Sequence, residues 1–350
     1  MNKYNESSLE NGLKIITAEV PGSGVVTIKV VVRAGSRFEK EGQRGIAHIF
    51  EHMLWRGTKN RPIAYDISLI TDRSGSGYNA ETTIETISTF IQVAKSEAGR
   101  MAELLSDIIQ NPLFDQGVLQ NEIRVILQEM RQVRDNRDRR MWMETVEAIF
   151  TGHPLSNYPI GLEGDIKLAT SDKLRAYHEK FFVAKNMALI FSGGISHEEA
   201  VGLAEKYFSG IKSGDVEGNS KDIMVIGGEK TVSFPGSQTT LNLCFSGHRL
   251  SEKEAKILDL VANYLGYKQT SLLYQELRSK KGLIYGIKVY SVQYQDASVF
   301  CVNTSTINPD EVKNNILEKL FNFEKYFTAD ILIEYKNQLK NILIRTLDGE

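Results

Sequence analysis

Twice along its 350 residues the chain writes out the same short plan. The stretches "TAEVPGSGVVTIKVVVRAGSR" at 17–37 and "TVSFPGSQTTLNLCFSGHRL" at 231–250 each run strand, Pro-Gly-Ser, strand and a glycine-containing exit. A helical pattern follows both, and then a second helix leads into a pair of strands. A plan repeated in this way predicts two structurally related halves.

The rest of the chain alternates in the same manner. LKIITAEV, GVVTIKVVVRAG, TIETISTFIQV and MALIFSG read as strands, and helices are expected over 44–56, near 63–73 and 95–109, and over 115–138, 141–150, 171–181 and 197–208. The class is therefore α/β or α+β. At 209–228 the pattern lapses into "SGIKSGDVEGNSKDIMVIGG", rich in Gly, Ser and Asp, which reads as a linker. The expected domains are residues 1–210 and 229–350, joined by 211–228.

Composition narrows the partners. A formal net charge of −2, with no Lys/Arg run interleaved with aromatics, speaks against nucleic acid. The longest apolar run, VVTIKVVV, is broken by Lys29 and is far too short to span a bilayer, and the opening MNKYNESSLENG has no apolar signal core. No membrane partner is expected. Cys244 and Cys301 lie outside any metal-knuckle spacing, each in an apolar strand-like run, so both are expected as buried free thiols in a reducing, cytoplasmic setting.

Against this background "GIAHIFEHMLWRGT" at 45–58 stands out, because an apolar stretch carries His48, Glu51 and His52 together. In a helix the two histidines are i, i+4 neighbours, with Glu51 on the same side. Such a face can hold one metal ion on two imidazoles with a carboxylate beside it; two buried, hydrogen-bonded core histidines are the alternative. The second-half counterpart, KILDLVANYLG, has no histidine, so whatever the three residues do is confined to the first half.

Catalytic zinc takes three protein ligands and keeps a fourth position open, so another ligand is required. The segment "NEIRVILQEMRQVRD" offers Glu122 and Glu129, seven apart and hence on one helical face, although an exposed polar stripe has the same spacing. The other histidines, His153, His178, His197 and His248, sit in turn or amphipathic contexts and read as surface or capping residues.

HxxEH followed by a glutamate after 76 intervening residues resembles the inverted zinc motif of the pitrilysin/insulinase family of metallopeptidases, which includes the mitochondrial processing peptidase. The segments "SGSGYNAETTIETISTF", "GHPLSNYPIGLEGDIKLAT", "FFVAKNMALIFSGGI" and "LLYQELRSKKGLIYGIKV" also resemble family segments in the family's order, so the likeness covers nearly the whole chain. The resemblance implies an α+β fold of two related α/β sandwich domains, with the second expected to be incomplete at residue 350.

It further implies that His48, His52 and Glu129 hold one zinc ion and that Glu51 is the general base toward water. Glu122 would orient a ligand histidine. Asn79 and Ala80 would lie on the strand to which an extended peptide substrate adds, a stretch that otherwise reads as a Thr-rich sheet strand. Arg278 and Tyr285 would match the family's pair of donors to the substrate carbonyl and oxyanion. In short family members the zinc half and the Arg/Tyr half of one site come from different subunits. A chain carrying both sets implies a homodimer, with a heterodimer with a related subunit as the alternative.

The function expected is a zinc endopeptidase acting on short or extended polypeptides. A non-catalytic scaffold or partner subunit is the rival, and a structural zinc protein fits poorly because the ligand set leaves an open position.

Overall fold

The computed structural model describes residues 4–216, 228–266 and 268–348, and the chain divides into two compact units, Met1–Ser220 and Lys221–Glu350. The first contains a six-stranded sheet built from β1 (Asn5–Ser8), β2 (Lys14–Glu19), β3 (Val25–Val32), β4 (Gly77–Thr82), β5 (Ile87–Ala94) and β6 (Met187–Gly193). Their order is β1-β2-β6-β3-β5-β4, with β2 and β6 parallel and every other pair antiparallel. Thus β4 is an outermost strand.

Period-two burial explains why these segments are strands. In β3 Val26, Ile28, Val30 and Val32 are buried while Lys29 points the other way, and in β5 Ile87, Ile91 and Val93 are buried. The sheet's apolar face shares one core with α1 (Ile46–Leu54), α3 (Ala98–Gln110), α4 (Gln116–Asp135), α7 (Ser171–Phe181) and α8 (His197–Phe208). In α3 the buried residues Met101, Ala102, Leu105, Ile108 and Ile109 follow the helical period. The shorter α2 (Ala64–Arg73) and α6 (Glu163–Lys167) add Ile67 and Ile166 to this core, and α5 (Arg137–Ile149) packs on α4.

Three expectations change. The run TIETISTFIQV is not one strand: Thr83 N donates to Thr86 O at 2.8 Å and the two hydroxyls meet at 3.0 Å, so the chain turns back and β4 and β5 form a hairpin. The helix expected over 115–138 stops at Asp135, because the Asn136 side chain accepts from Arg139 N and starts α5 there. Within the expected linker, Ile211 is buried in the first core and Ala184 N donates to Lys212 O, so the chain is still part of the first unit at that point; residues 217–227 lie outside the described residues.

The second unit holds a three-stranded antiparallel sheet, β7 (Thr239–His248), β9 (Ala297–Thr306) and β8 (Ile287–Gln293) in that order. α9 (Glu252–Gly266), α10 (Leu272–Tyr274), α11 (Pro309–Phe321) and α12 (Ala329–Asp348) complete it around a core that includes Leu265, Leu273, Leu277, Val302, Val312 and Ile316. Here the thiol expectation fails. The register sets Cys244 directly opposite Cys301, with Cα atoms 4.3 Å apart, and the two are joined as a disulfide, so cysteine usage no longer argues for a reducing compartment. Among the described residues no helix is long and apolar enough to cross a membrane.

Candidate metal centre

α1 has two unlike faces. Ile46, Ile49, Phe50, Met53 and Leu54 are buried, and Phe50 alone meets the rings of Phe182, Phe114 and Tyr177 at centroid distances of 4.5, 5.2 and 5.5 Å. Truncating such a side chain costs about 3–5 kcal/mol, so the apolar face fixes the helix and thereby the direction of the other face. That other face carries His48, Glu51 and His52.

α4 packs against α1 and brings Glu122 and Glu129 to it. Glu129 Oε2 lies 3.6 Å from His48 Nε2 and 3.5 Å from His52 Nε2. Among the described residues His48, His52 and Glu129 form the one group of three or more such side chains whose ligand atoms converge, all within 4.8 Å of one another. Ligands about 2.0–2.1 Å from a tetrahedral zinc ion stand about 3.3–3.4 Å from each other, and both histidine nitrogens lie close to that distance from the Glu129 oxygen. Three donors leave one tetrahedral position without a protein ligand.

Glu122 does not join this group. Its Oε2 accepts from His52 Nδ1 at 3.2 Å and its Oε1 pairs with Arg56 Nε at 2.9 Å. Because an ionised carboxylate only accepts, the His52 proton is drawn to Nδ1 and the Nε2 lone pair is left for a metal. His48 Nδ1 is buried with no hydrogen-bond partner among the described residues.

Burial and hydrogen bonding act differently on each of these groups. Burial, aided by the neighbouring His52, brings His48 down to about 4, so its ring is neutral at physiological pH. Burial also pulls His52 down, but its hydrogen bonds with Glu129 and Glu122 outweigh that and leave it raised. The bond to His52 keeps Glu129 below the usual carboxylate range despite its burial. Glu51 is raised, mainly by burial, with the Thr82 hydroxyl and His52 pulling back. A carboxylate moved up toward neutrality is a better proton acceptor.

Asn79 and Ala80 lie on β4, opposite Phe90 and Thr89 of β5. Asn79 is exposed, and α1 packs on this strand. A chain of bonds ties strand to helix: Trp55, just after α1, stacks on Tyr78 at 4.3 Å and donates from Nε1 to Thr89 Oγ1 at 3.0 Å, and Thr89 in turn donates to Asn79 O at 3.0 Å.

Arg278 and Tyr285 belong to the second unit and lie together there. Arg278 comes from a π-helical turn, Gln275–Lys280, that continues α10; it donates to the Tyr285 carbonyl, and its guanidinium lies 4.6 Å from the centre of the Tyr285 ring. Tyr285 is 83% exposed, so its hydroxyl is open to a ligand. Among the remaining histidines, His178 is half-buried: desolvation lowers it, and its Nε2 meets Ile109 O at 2.7 Å. His153 is buried, accepting from Leu155 N at 3.2 Å as a cap.

Sequence reading missed Arg56, Trp55 and Thr82. Trp55 and Arg56 lie three and four residues beyond His52, and that helical spacing was the available signal for them. Nothing local pointed to Thr82.

Comparison with known proteins bears on the same residues. The profile of the family described as "Insulinase (Peptidase family M16)" matches residues 14–161, which include the whole candidate centre. That described as "Peptidase M16 inactive domain" matches residues 169–339, the half without HxxEH. An uncharacterized zinc protease of Rickettsia bellii (strain RML369-C) is 32% identical over 320 residues, spanning 89% of this chain and 77% of the relative. The mitochondrial-processing peptidase subunit beta of Lentinula edodes is 26% identical over 364 residues, spanning 98% of this chain and 77% of that protein. Among solved structures, a protease from Helicobacter pylori shares the fold with a TM-score of 0.89 at 24% identity, covering 99% of this chain and 86% of that one.

Proposed function

Since the chain belongs to the insulinase family, peptidase family M16, we propose that it is a zinc-dependent endopeptidase that hydrolyses short or extended polypeptides. The observation that carries this reading is the meeting of His48 Nε2, His52 Nε2 and Glu129 Oε2, with Glu51 on the same helical face and one coordination position free of protein. A purely structural zinc site would be closed by a fourth protein ligand.

When bound, zinc supplies a Lewis acid for the scissile carbonyl and lowers the pKa of water to about 7. His48, His52 and Glu129 are its ligands, and Glu122 holds His52 in the ligating orientation. Glu51 takes the proton of the attacking water and returns it to the leaving amine, a role suited to a carboxyl that burial has raised. The peptide backbone adds to β4 beside Asn79 and Ala80 as an extended strand, which selects unfolded substrates. Arg278 and Tyr285 serve as donors to the oxyanion, and a dimer, with a second copy or a related subunit, is the proposed assembly.

The test is cleavage of a mixed-sequence quenched-fluorescent peptide library by the purified chain beside Glu51→Gln, both at matched zinc content. Cleavage by the parent alone is the expected result. Zinc binding with no cleavage by either protein would instead favour a scaffold or partner subunit.

A further inference from the structure

We propose that Glu39 is a positioning residue of the metal centre, its buried carboxyl clasping the first turn of the helix that carries His48, Glu51 and His52. This rests on the zinc reading above. Glu39 Oε2 accepts from Gly45 N and its Oε1 accepts from Ala47 N, each at 2.9 Å. Ala47 is the residue immediately before His48, so the second bond ends next to the first ligand.

The reason for a distant acid lies in the backbone at Gly45. The first donors of a helix have no partner within it and are usually satisfied by a Ser, Thr, Asp or Asn at the N-cap. In α1 the N-cap is Gly45, which has no side chain and sits at φ 98° in the left-handed region. A side chain there would bring its Cβ to 3.0 Å from Ile166 Cγ1 and 3.2 Å from the Cα of Gly161. A capping side chain at this position would therefore be strained, and Glu39 supplies the acceptors from outside.

Burying this carboxyl is costly. Glu39 is 8% exposed, has no ion pair among the described residues, and is pushed by burial up to about 8 while the two backbone N–H groups and Arg44 pull back down. A neutral polar residue on the surface would spare that cost but would not span two donors on one turn. The carboxyl does so in a fork, which restrains both the rotation of α1 and its slide along its axis. Those are the two movements that would carry His48 and His52 away from Glu129.

The test measures zinc dissociation constants by chelator competition, together with the visible spectrum of the cobalt-substituted protein, for the parent, Glu39→Gln and Asp165→Asn. Gln keeps the volume but turns an N–H donor toward one of the two backbone donors. Asp165 accepts from Arg44 N at 2.9 Å, one residue outside the clasped turn, and serves as the neighbouring structural control. The expected result is folded Glu39→Gln with zinc bound about tenfold or more weakly and an altered cobalt spectrum, and Asp165→Asn close to the parent. Folded Glu39→Gln with parental zinc affinity and spectrum, even with a lower melting temperature, would overturn the proposal and leave Glu39 a fold residue. If Glu39→Gln does not fold, Glu39→Asp, which keeps the carboxyl group but shortens the reach, is read by the same two criteria. A parent chain that binds no zinc would remove the metal centre itself, and this inference with it.

Discussion

Glu122 and His52 face each other at 3.2 Å, carboxylate oxygen to Nδ1, while the second oxygen of Glu122 is held by Arg56 at 2.9 Å. The pair fixes which imidazole nitrogen is free for a metal, so its value lies in orientation rather than ligation. Glu122→Ala is expected to weaken zinc binding by about 10- to 100-fold without abolishing it, as read by chelator competition. Complete loss of the site would make Glu122 a ligand, and an unchanged affinity would deny it any part in orienting His52.

The histidines also make a statement about pH. His48 is held near 4 in the fold against 6.5 for a free side chain, so between those values the unfolded chain takes up a proton that the folded chain refuses. The contribution of neutral His48 is therefore complete above about 6.5 and is lost as pH falls toward 4, with a slope of about 1.4 kcal/mol per pH unit from this one group. Denaturant unfolding of the zinc-free chain and of His48→Gln between pH 7 and 4 checks it. The parent should lose stability toward acid more steeply than the variant; parallel curves would contradict the assignment.

Thr89 is the middle of the relay from Trp55 to Asn79. Thr89→Val keeps the shape but strands an indole N–H and a strand carbonyl, at a cost of about 1–3 kcal/mol. If peptides add to β4, the same change loosens the strand that receives them. KM for a cleaved peptide should then rise while kcat changes little, and a loss confined to kcat would place the effect on the chemistry instead.

The pairing of Cys244 with Cys301 predicts no reactive thiol in the oxidised, denatured chain and two after reduction. The bond closes a loop of sequence separation 57, and removing such a crosslink costs about 2–5 kcal/mol. Thiol titration in denaturant, with melting curves before and after reduction, measures both. Two thiols before reduction would return the pair to free cysteines.

What could be read from the sequence followed from local repetition. His48, Glu51 and His52 announce themselves because helical geometry alone puts them on one side, and the spacing of seven does the same for Glu122 and Glu129. The structure then brings His48, His52 and Glu129 within 4.8 Å. The α+β class followed from strand and helix periods in the same way. Features that depend on tertiary pairing were not legible. The cysteine bond depends on the register of β7 against β9, which the hydrophobic pattern does not number. The turn at Thr83–Thr86 hides in a run of β-formers. Glu39 looks like any surface acid until the Gly45–Gly161 approach shows why the helix end needs it.

The outermost place of β4 has a further consequence. A strand at the end of its sheet leaves one side of its backbone unpaired within that sheet, and this row of donors and acceptors is open to a neighbouring molecule, so crowded chains could stack through it. The strand itself supplies the safeguards: it is only Gly77–Thr82, it opens on a glycine, and it carries the exposed charge of Glu81. Replacing Glu81 with a β-branched apolar residue would leave His48, His52 and Glu129 untouched yet make this edge a sticky one, so solubility constrains the strand whatever binds to it.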